Sequence, residues 1–500
     1  MWGTAILPLV VLAALPSANA IILHKRDDPA VLALPIARSE RSQSLQKRSS
    51  KIASTALYNV ENMYYMVNIT IGTPAQNLSL SLDIGSSDIW VNVPNSTYCA
   101  ADDDPCSSTG LFNLEDSSTF ELLDYEMNAT YVSGFLAAGP YATDTLVIGG
   151  AEVKNMEFAL AEESRNPHGI LGIGYAVNTD AATADGEEYA NLPEALVKSG
   201  AIKSAAYSLW LNKFDGTGNL LFGGVNKARY EGELQTVPVL KVNDNYYSLE
   251  IALTDISVKS TKSTKSYATG LPLAVTLDNG SPYIVLPKEL VEPIHEAVGA
   301  GYSSTAGAAY IPCNMSSADY NVTFSFSGAK VTVPISELVF EDYTEVGFPS
   351  GDCIFGLSYS EAGVNLMGDP FLRGAYVVYD LANNEISLAN TNYNGGDDDI
   401  LEIGTGTAAV PGATLMPSAV TSATGNGSSG STAAPSSETA VSNSSGSESG
   451  EIAASVTGTA TGNAKTGGAS STPSKGLALP TSKPTHLLPG VLGAGLLLAL

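Results

Sequence analysis

Residues 78–91 read LSLSLDIGSSDIWV, and residues 273–287 read LAVTLDNGSPYIVLP. Each stretch begins with the apolar and polar alternation that is typical of a half-buried strand. Each then passes through an Asp-x-Gly-Ser turn, with its aspartate at Asp83 or Asp278, and returns to an apolar run. Two copies of one strand-turn-strand unit predict a chain with an internal duplication.

A second motif supports this duplication. Residues 170–172 (Ile-Leu-Gly) follow the first aspartate, and residues 366–368 (Leu-Met-Gly) follow the second at an almost equal separation. The repeated spacing predicts two related lobes, each of which contributes one Asp-x-Gly-Ser loop to a shared site.

The chain between about residues 58 and 392 has the rhythm of a β protein. Short runs of Val, Ile, Leu, Tyr and Thr alternate there with Gly, Asn, Asp and Pro turns. This pattern predicts a mainly β fold with few helices. Helices are predicted at residues 193–200 and 287–298, where a proline opens each pattern at a first-turn position.

The two loops carry the residue types that a pair of carboxyl groups needs. Gly85 and Gly280 allow a backbone amide to approach the neighbouring carboxylate, and Ser86 and Ser281 each offer a hydroxyl donor. Two carboxyl groups in contact cannot both ionise cheaply, so the pair retains one proton. Such a pair contains a base that activates water and an acid that protonates a carbonyl oxygen.

The four cysteines fall into two pairs that are close in sequence, Cys99 with Cys106 and Cys313 with Cys353. In an oxidising compartment these pairs are expected to form disulfides. Catalysis by a thiol or a Ser–His pair, and zinc binding, all need histidines, and only His168 and His295 lie in the β region. The sequence therefore argues against these three kinds of site.

The net charge of −27 argues against nucleic acid as a partner. Phosphate binding needs stripes of Lys and Arg, whereas an acidic surface repels the phosphate groups. The self-repulsion of this surface falls in acid as carboxylates take up protons, which is compatible with acidic surroundings.

The N-terminal end predicts entry into the secretory pathway. Residues 1–20 contain a short apolar run that ends in Ser-Ala-Asn-Ala, as a cleaved signal peptide does. Residues 21–48 are interpreted as a propeptide because they end in Lys47-Arg48; a second dibasic pair, Lys25-Arg26, lies inside this segment. A membrane-spanning helix is a poorer interpretation of the first twenty residues, since the apolar run is too short.

The C-terminal end predicts a cell-surface anchor. Residues 396–470 are rich in Ser, Thr, Gly, Ala and Pro and are interpreted as a disordered, O-glycosylated stalk. Small residues at 467–471, a polar spacer and a short terminal apolar run form the pattern of a GPI-attachment signal, here residues 471–500. The predicted location is therefore the extracellular face of the cell membrane or the cell wall.

Glycosylation sequons fit a secreted surface and begin at Asn68, Asn77, Asn95, Asn128, Asn314, Asn321, Asn426 and Asn443.

The segment from about residue 58 to residue 392 resembles the pepsin-like aspartic proteases, and most closely the fungal GPI-anchored yapsin group. The matching text includes YYMVNITIGTPAQNLSLSLDIGSSDIWV, GILGIGY, NLLFGGVNKARYEGEL and NLMGDPFLRGAYVVYDLANNEISLAN. The resemblance implies a bilobal β fold with the active-site cleft between two duplicated lobes. We expect the N-terminal lobe at residues 49–235 and the C-terminal lobe at residues 236–395.

The resemblance also implies roles for single residues. Asp83 and Asp278 become the catalytic pair, with Gly85, Ser86, Gly280 and Ser281 as their support. The segment TYVSGFLAAGPYATDTL matches the flap hairpin of the family. Tyr131 would then be the flap tyrosine, Trp90 would hold it through the indole N–H, and Ser133 and Gly134 would form the flap tip.

Three positions depart from the family pattern. Ile84 and Asn279 follow the two aspartates where the family has Thr or Ser, and Pro282 stands where a hydroxylic residue is usual. In the family the hydroxyls after the aspartates bond across the lobe interface. An isoleucine cannot do so, whereas the amide of Asn279 could.

These observations predict a monomeric aspartic endopeptidase that hydrolyses polypeptides without a metal or organic cofactor and is attached to the membrane through a GPI anchor. The alternative from another class is a weak or inactive pseudo-protease that serves as a cell-wall glycoprotein or binding module. A glycosidase with two carboxylates is a more distant alternative, because the duplicated Asp-x-Gly-Ser frame has no role in that chemistry.

Overall fold

The computed structural model describes residues 31–38, 64–101, 105–131, 136–184, 186, 188–214, 217–340, 348, 351–359 and 363–425. The predicted signal peptide, most of the predicted propeptide, the stalk after residue 425 and the GPI-attachment signal lie outside these residues. Among the described residues, no helix is long and apolar enough to span a bilayer.

The described part of the chain is mainly β, which confirms the predicted fold class. The strands are, in chain order, β1 (Leu32–Arg38), β2 (Tyr65–Ile71), β3 (Gln76–Asp83), β4 (Ile89–Asn92), β5 (Glu121–Thr130), β6 (Leu136–Ile148), β7 (Ala151–Ala161), β8 (Glu163–Ser164), β9 (Ile170–Gly172), β10 (Ala206–Trp210), β11 (Thr217–Phe222), β12 (Gly224–Asn226), β13 (Tyr230–Pro238), β14 (Glu250–Leu253), β15 (Asp255–Lys259), β16 (Thr264–Tyr267), β17 (Leu273–Leu277), β18 (Ile284–Leu286), β19 (Gly301–Ser303), β20 (Ala308–Pro312), β21 (Asn321–Phe326), β22 (Ala329–Pro334), β23 (Val339–Phe340), β24 (Asp352–Phe355), β25 (Leu357–Tyr359), β26 (Leu366–Met367), β27 (Ala375–Asp380), β28 (Glu385–Thr391), β29 (Ile400–Glu402) and β30 (Ala413–Leu415).

The internal duplication of the sequence is a duplication of strand pairing. In the first copy β3 pairs in parallel with β9, and β9 pairs antiparallel with β4. In the second copy β17 pairs in parallel with β26, and β26 pairs antiparallel with β18. Each Asp-x-Gly-Ser loop therefore connects two strands that lie on either side of the strand that carries the apolar-Gly motif.

One large sheet contains strands from both halves of the chain. Its central order is β13-β28-β27-β10-β11-β1-β2-β3, so the late strands β27 and β28 lie beside the early strands. Smaller sheets in the second half have the orders β14-β17-β26-β18-β25, β16-β15-β21-β22 and β19-β20-β24-β23. β13 crosses the predicted lobe boundary between residues 235 and 236.

The two predicted helices are present as α2 (Leu192–Lys198) and α3 (Lys288–Val298). α3 buries one face, and it ends at Gly299, whose φ of 75° suits a residue without a side chain. Two further short helices, α1 (Asp180–Ala184) and α4 (Asp369–Gly374), follow the two apolar-Gly motifs. The segments of α1 and α4 are too short to produce a helical pattern in the sequence.

Ordered structure continues past the predicted start of the stalk. Residues 396–425, which we call the C-terminal strap, contain β29, paired with β12, and β30, paired in parallel with β13. The strap ends beside the second lobe, where Thr424 pairs with Leu273 at the start of β17. The boundary predicted at residue 396 is therefore corrected to residue 425 or later. Composition averaged over the whole segment concealed Ile403 and Val410, which are buried.

Both predicted disulfides are formed, Cys99–Cys106 and Cys313–Cys353. The first closes a short loop after β4. The second joins the end of β20 to β24, which are already paired as antiparallel neighbours. Each disulfide therefore stabilises structure within one half of the chain.

Candidate active site

Asp83 lies at the end of β3 with its carboxylate fully buried. The Gly85 amide donates to Asp83 Oδ1 at 2.9 Å, and the Ser86 hydroxyl donates to Asp83 Oδ2. The turn after the strand therefore supplies two donors to one carboxylate, as the Asp-x-Gly-Ser pattern predicts.

Asp278 follows β17 and is equally buried, but its loop is bonded differently. The Gly280 amide donates to Asp278 Oδ1 at 2.8 Å. Ser281, predicted to support Asp278, instead donates its hydroxyl to the Tyr283 carbonyl at 2.9 Å and accepts from the Tyr283 amide at 3.4 Å. The single hydroxyl proton of Ser281 is thus used in a local turn around Pro282, and the prediction of a direct Ser281 bond to Asp278 is corrected.

Each loop crosses closely over the glycine of the neighbouring motif. A Cβ at Gly172 would lie 2.5 Å from the Asp88 carbonyl oxygen, and a Cβ at Gly368 would lie 2.2 Å from the Tyr283 carbonyl oxygen. The repeated apolar-Gly motif therefore follows from sterics, because only glycine lets the returning loop pass so close.

The amide of Asn279 joins the two loops. Asn279 Oδ1 accepts from the Ile84 amide at 3.0 Å, and Asn279 Nδ2 donates to the Leu82 carbonyl at 2.9 Å. A backbone N–H must face the oxygen and a backbone C=O must face the nitrogen, so these two partners determine the orientation of the side-chain amide. One buried side chain thus holds the backbone on both sides of Asp83, while Ile84 packs in the main hydrophobic core.

The two carboxyl groups share one electrostatic environment. Burial raises the pKa of Asp83, and donation from Ser86 and Gly85 opposes the increase. Burial raises the pKa of Asp278 well above its ordinary value, and the negative charges of Asp83 and Asp369 raise it further. Asp278 Oδ2 has no hydrogen-bond partner among the described residues, although the amide of Gly85 faces this carboxyl group and lowers its pKa.

The flap residues can be located in part. Tyr131 directly follows β5, is buried, and accepts a hydrogen bond from Trp90 Nε1 to its hydroxyl oxygen at 2.7 Å. This is the contact that the resemblance implied for the pair. The predicted flap tip, Ser133 and Gly134, lies outside the described residues.

Asp88 forms a buried hydrogen-bonded cluster that was not predicted from the sequence. Asp88 Oδ1 accepts from the hydroxyls of Tyr141, on β6, at 2.8 Å and Tyr189 at 2.7 Å. Asp88 Oδ2 accepts from the Asp180 amide at the start of α1 at 2.7 Å. The only signal in the sequence was an aspartate between Ser87 and Ile89 where the alternation predicts a buried position. Asp88 thus links the loop after β3 to both β6 and α1.

The comparisons with known proteins agree with this geometry. A family model described as eukaryotic aspartyl protease matches residues 64–391. The probable aspartic-type endopeptidase opsB of Aspergillus oryzae is 42% identical over 502 residues, which cover 98% of each chain. The aspartic proteinase yapsin-3 of Saccharomyces cerevisiae is 34% identical, over 75% of this chain and 74% of the yeast protein. Barrierpepsin of the same yeast is 31% identical, over 68% of this chain and 62% of its own.

This chain belongs to the eukaryotic aspartyl protease family. It is an aspartic-type endopeptidase, a hydrolase that acts on polypeptides, and its similarity to opsB and yapsin-3 confirms the resemblance seen in the sequence.

We predict that Asn279→Ala lowers both stability and turnover. The substitution leaves the buried Ile84 N–H and Leu82 C=O without partners, which costs about 2–5 kcal/mol in the free energy of unfolding. A displacement of the Asp83 loop by about 1 Å lowers kcat by about a hundredfold. Urea unfolding and kcat on a peptide substrate measure the two effects.

Asn392→Ala is the matched control for Asn279→Ala, because it removes side-chain bonds to the Ala228 and Gly395 carbonyls near the strap. This variant is expected to lose stability and to keep its kcat. Normal turnover in Asn279→Ala would show that the amide does not position Asp83.

We predict that the Asp88 cluster makes the protein less stable as pH rises. Burial raises the pKa of Asp88 to about 6, against donation from Tyr189, the Asp180 amide and Tyr141. Because the folded state holds this proton more tightly than the unfolded state, the contribution is fully present below about pH 4 and is lost as pH rises towards about 6. The loss amounts to about 2–3 kcal/mol over this range.

The measurement is urea unfolding of the wild type and Asp88→Asn between pH 3.5 and 7, with the exposed Asp319→Asn as control. Asp88→Asn is expected to be less stable in acid and to show a shallower fall in stability between pH 4 and 6. The charges of Asp180 and Glu157 also act in this cluster and remain in the variant. Parallel stability curves for the wild type and Asp88→Asn would contradict the assignment.

Proposed function

We propose that this protein is a secreted, cell-surface aspartic endopeptidase in which Asp83 and Asp278 activate the hydrolytic water. The observation that supports the proposal most directly is the pair of buried carboxyls on duplicated loops that Asn279 joins. The two hydrogen bonds of Asn279 hold the Asp83 loop rigid, which the apolar side chain of Ile84 cannot do through hydrogen bonds. A rigid Asp83 loop favours an active enzyme over a protein that only binds.

The hydrogen bonds of the two loops support different roles for the two carboxyl groups. Asp83 receives donation from Ser86 and Gly85, which stabilises its ionised form. Among the described residues no serine donates to Asp278, which also faces the negative charges of Asp83 and Asp369, so it is the better carrier of the shared proton. Asp83 is thus the base and Asp278 the acid when substrate binds.

Hydrolysis then proceeds in two steps, each with two proton transfers. Asp83 removes a proton from the water while the water oxygen attacks the scissile carbonyl carbon. Asp278 gives its own proton to the carbonyl oxygen. The tetrahedral gem-diol collapses as the C–N bond breaks. The amine nitrogen takes the proton held by Asp83, and a gem-diol hydroxyl returns a proton to Asp278. One water is consumed, and a carboxyl and an amine are released.

Tyr131 is the residue that we propose closes over the bound peptide. The indole of Trp90 holds its hydroxyl, and the Asp88 cluster holds the strand on the other side of the flap. A closed flap excludes water from the carboxyl pair, which strengthens the electrostatic interactions within the site.

The proposals of secretion, glycosylation and anchoring rest on sequence patterns outside the catalytic pair. The signal-peptide and GPI-attachment patterns support export and a surface anchor, with the protein acting as a monomer. Five sequon asparagines on the described domain have exposed side chains and are proposed glycan sites: Asn68, Asn77, Asn95, Asn128 and Asn314. Asn279-Gly280-Ser281 also matches the sequon pattern, but it is not a proposed glycan site, because the Asn279 side chain is buried and bonded through both its oxygen and its nitrogen.

Asp83→Asn and Asp278→Asn are each expected to abolish peptide hydrolysis while preserving the fold, because the change is nearly isosteric and removes one member of the pair. The control is Asp380→Asn, a buried aspartate bonded to Asn383 outside the site, which should remain active. Turnover of a denatured protein substrate in acid, with and without pepstatin, measures the effect. Wild-type turnover in Asp278→Asn would refute the two-carboxyl mechanism.

Removal of residues 480–500 is expected to release the protein into the medium, because it deletes the terminal apolar run of the proposed attachment signal. Removal of residues 440–460 from the stalk is the control and should leave the protein at the surface. Treatment of cells with a phosphatidylinositol-specific phospholipase should release the full-length form. Retention of the truncated protein at the membrane would contradict the anchor proposal.

A further inference from the structure

The strand that leads to Asp278 has a short neighbour on one of its edges. On one side, β17 pairs with β14 through four residues, from Leu273 to Thr276. On the other side, β26 pairs only with Thr276 and Leu277. The backbone groups at the start of β17 would therefore be open on this second edge unless another segment covered them.

The end of the C-terminal strap covers this edge. The Ala274 amide donates to the Thr424 carbonyl oxygen at 2.8 Å, and the Thr424 amide donates to the Pro272 carbonyl oxygen at 3.0 Å. The Thr424 hydroxyl lies 2.9 Å from the same Pro272 oxygen and 3.2 Å from the Gly270 carbonyl oxygen. Thr424 thus pairs with β17 as a continuation of β26 would, shortly before Asp278.

The first lobe has an equivalent contact at the equivalent position. Ser79 stands four positions before Asp83, as Ala274 stands four positions before Asp278. The Ser79 amide donates to the Thr109 carbonyl oxygen at 2.8 Å. The carbonyl of a threonine therefore binds the same amide in both copies of the strand that ends at an aspartate.

The next bond along each strand also matches. The Ser81 amide donates to the Gly169 carbonyl oxygen at 2.9 Å, just before β9 begins. The Thr276 amide donates to the Asn365 carbonyl oxygen at 3.0 Å, just before β26 begins. The two threonines therefore occupy matching places in the duplicated frame, in line with β9 and with β26.

The two threonines come from different parts of the chain. Thr109 follows the loop that the first disulfide closes, within the residues that the family model matches. Thr424 lies at the end of the strap, beyond residue 391, where that match ends. Each threonine precedes a glycine with a positive φ, 85° at Gly110 and 78° at Gly425. The second lobe thus obtains from the strap the contact that the first lobe obtains from a loop of its own.

The strap is attached at several points along its length, which holds its end against β17. Near its start, Asp398 forms an ion pair with Arg229 at 2.6 Å. Further along, the Met416 amide donates to the Thr236 carbonyl oxygen at 2.9 Å. The last part of the strap packs in a small apolar cluster that consists of Leu240, Ala252, Ala274, Val420 and Ala423.

We propose that Thr424 is a positioning residue for Asp278, so that the strap is a working part of the catalytic domain. Asp278 directly follows β17, and a shift of this strand therefore moves the carboxyl group relative to Asp83. A displacement of about 1 Å at a reacting group lowers the rate about a hundredfold, and release of one end of β17 is expected to cost a part of that. The inference rests on the proposed catalytic role of Asp278.

The test uses the full-length protein, and Thr424→Pro is its main variant. Proline removes the amide that donates to the Pro272 carbonyl and disfavours the paired backbone conformation. We expect kcat on a peptide substrate to fall about tenfold and KM to stay within about twofold, because the carboxyl groups are misaligned while the cleft walls are unchanged. Thr421→Pro is the matched control and should keep its kcat, since Thr421 is exposed and its amide has no hydrogen-bond partner among the described residues.

Two milder variants decide the question if Thr424→Pro is not secreted in a folded form. Thr424→Ala loses only the hydroxyl bonds to the Pro272 and Gly270 carbonyls, and its kcat is expected to fall about threefold. Thr424→Ser keeps both the amide and the hydroxyl and should restore the kcat of the wild type. A kcat of Thr424→Ala equal to that of the wild type would overturn the inference.

Amide hydrogen exchange provides a readout that does not depend on catalysis. In Thr424→Pro, the peptide of residues 270–278 is expected to exchange faster than in the wild type, because the Ala274 amide loses its partner as the end of the strap detaches. The peptide that contains Ser79 should be unchanged. Faster exchange with the kcat of the wild type, or a lower kcat without faster exchange, would overturn the inference.

Asp278→Asn is measured in parallel, because it separates this inference from the proposed function. If Asp278→Asn is inactive and Thr424→Pro turns over like the wild type, the role of the strap is refuted and the carboxyl pair stands. If Asp278→Asn turns over like the wild type, the proposed function itself is refuted, and the positioning role fails with it.

Discussion

The requirement that two carboxyl groups be buried side by side governs this structure. An isolated buried carboxylate is strongly disfavoured, and two in contact are worse unless donors and a shared proton compensate them. The donors come from the turns that end β3 and β17, so each strand must stop at its aspartate and each turn must be tight. The duplicated pairing of β3 with β9 and of β17 with β26 provides these two equivalent turns.

The two halves meet the same requirement with different bonds. Ser86 donates to its own aspartate, whereas the hydroxyl of Ser281 is used by the Tyr283 carbonyl. The side chain of Asn279 holds the backbone around Asp83, whereas the side chain of Ile84 contributes only packing. The two carboxyl groups therefore differ in their hydrogen-bond donors before any substrate binds, and the proposed mechanism uses this difference to place the shared proton.

Local patterns in the sequence predicted the elements whose cause is local. The strand-turn-strand units, α2 and α3, and both disulfides agree with the structure. The Trp90–Tyr131 contact is also present, but it was implied by the family resemblance rather than by a local pattern. The sequence did not predict contacts that depend on distant partners. Asp88 binds two tyrosines that are far away along the chain. The C-terminal strap was interpreted as part of a disordered stalk, and β1 as part of a propeptide. Both segments pair with strands that lie far away in the sequence, so their own residues do not reveal this pairing.

The central sheet also determines when the protein can finish folding during synthesis. β10 consists of five buried residues, and its partner on one side is β27, which lies far downstream. Until the ribosome has delivered β27, β10 presents an open, apolar edge of the kind that joins other chains. A nascent chain of this topology therefore leaves this edge open to association with other chains until its second half has emerged.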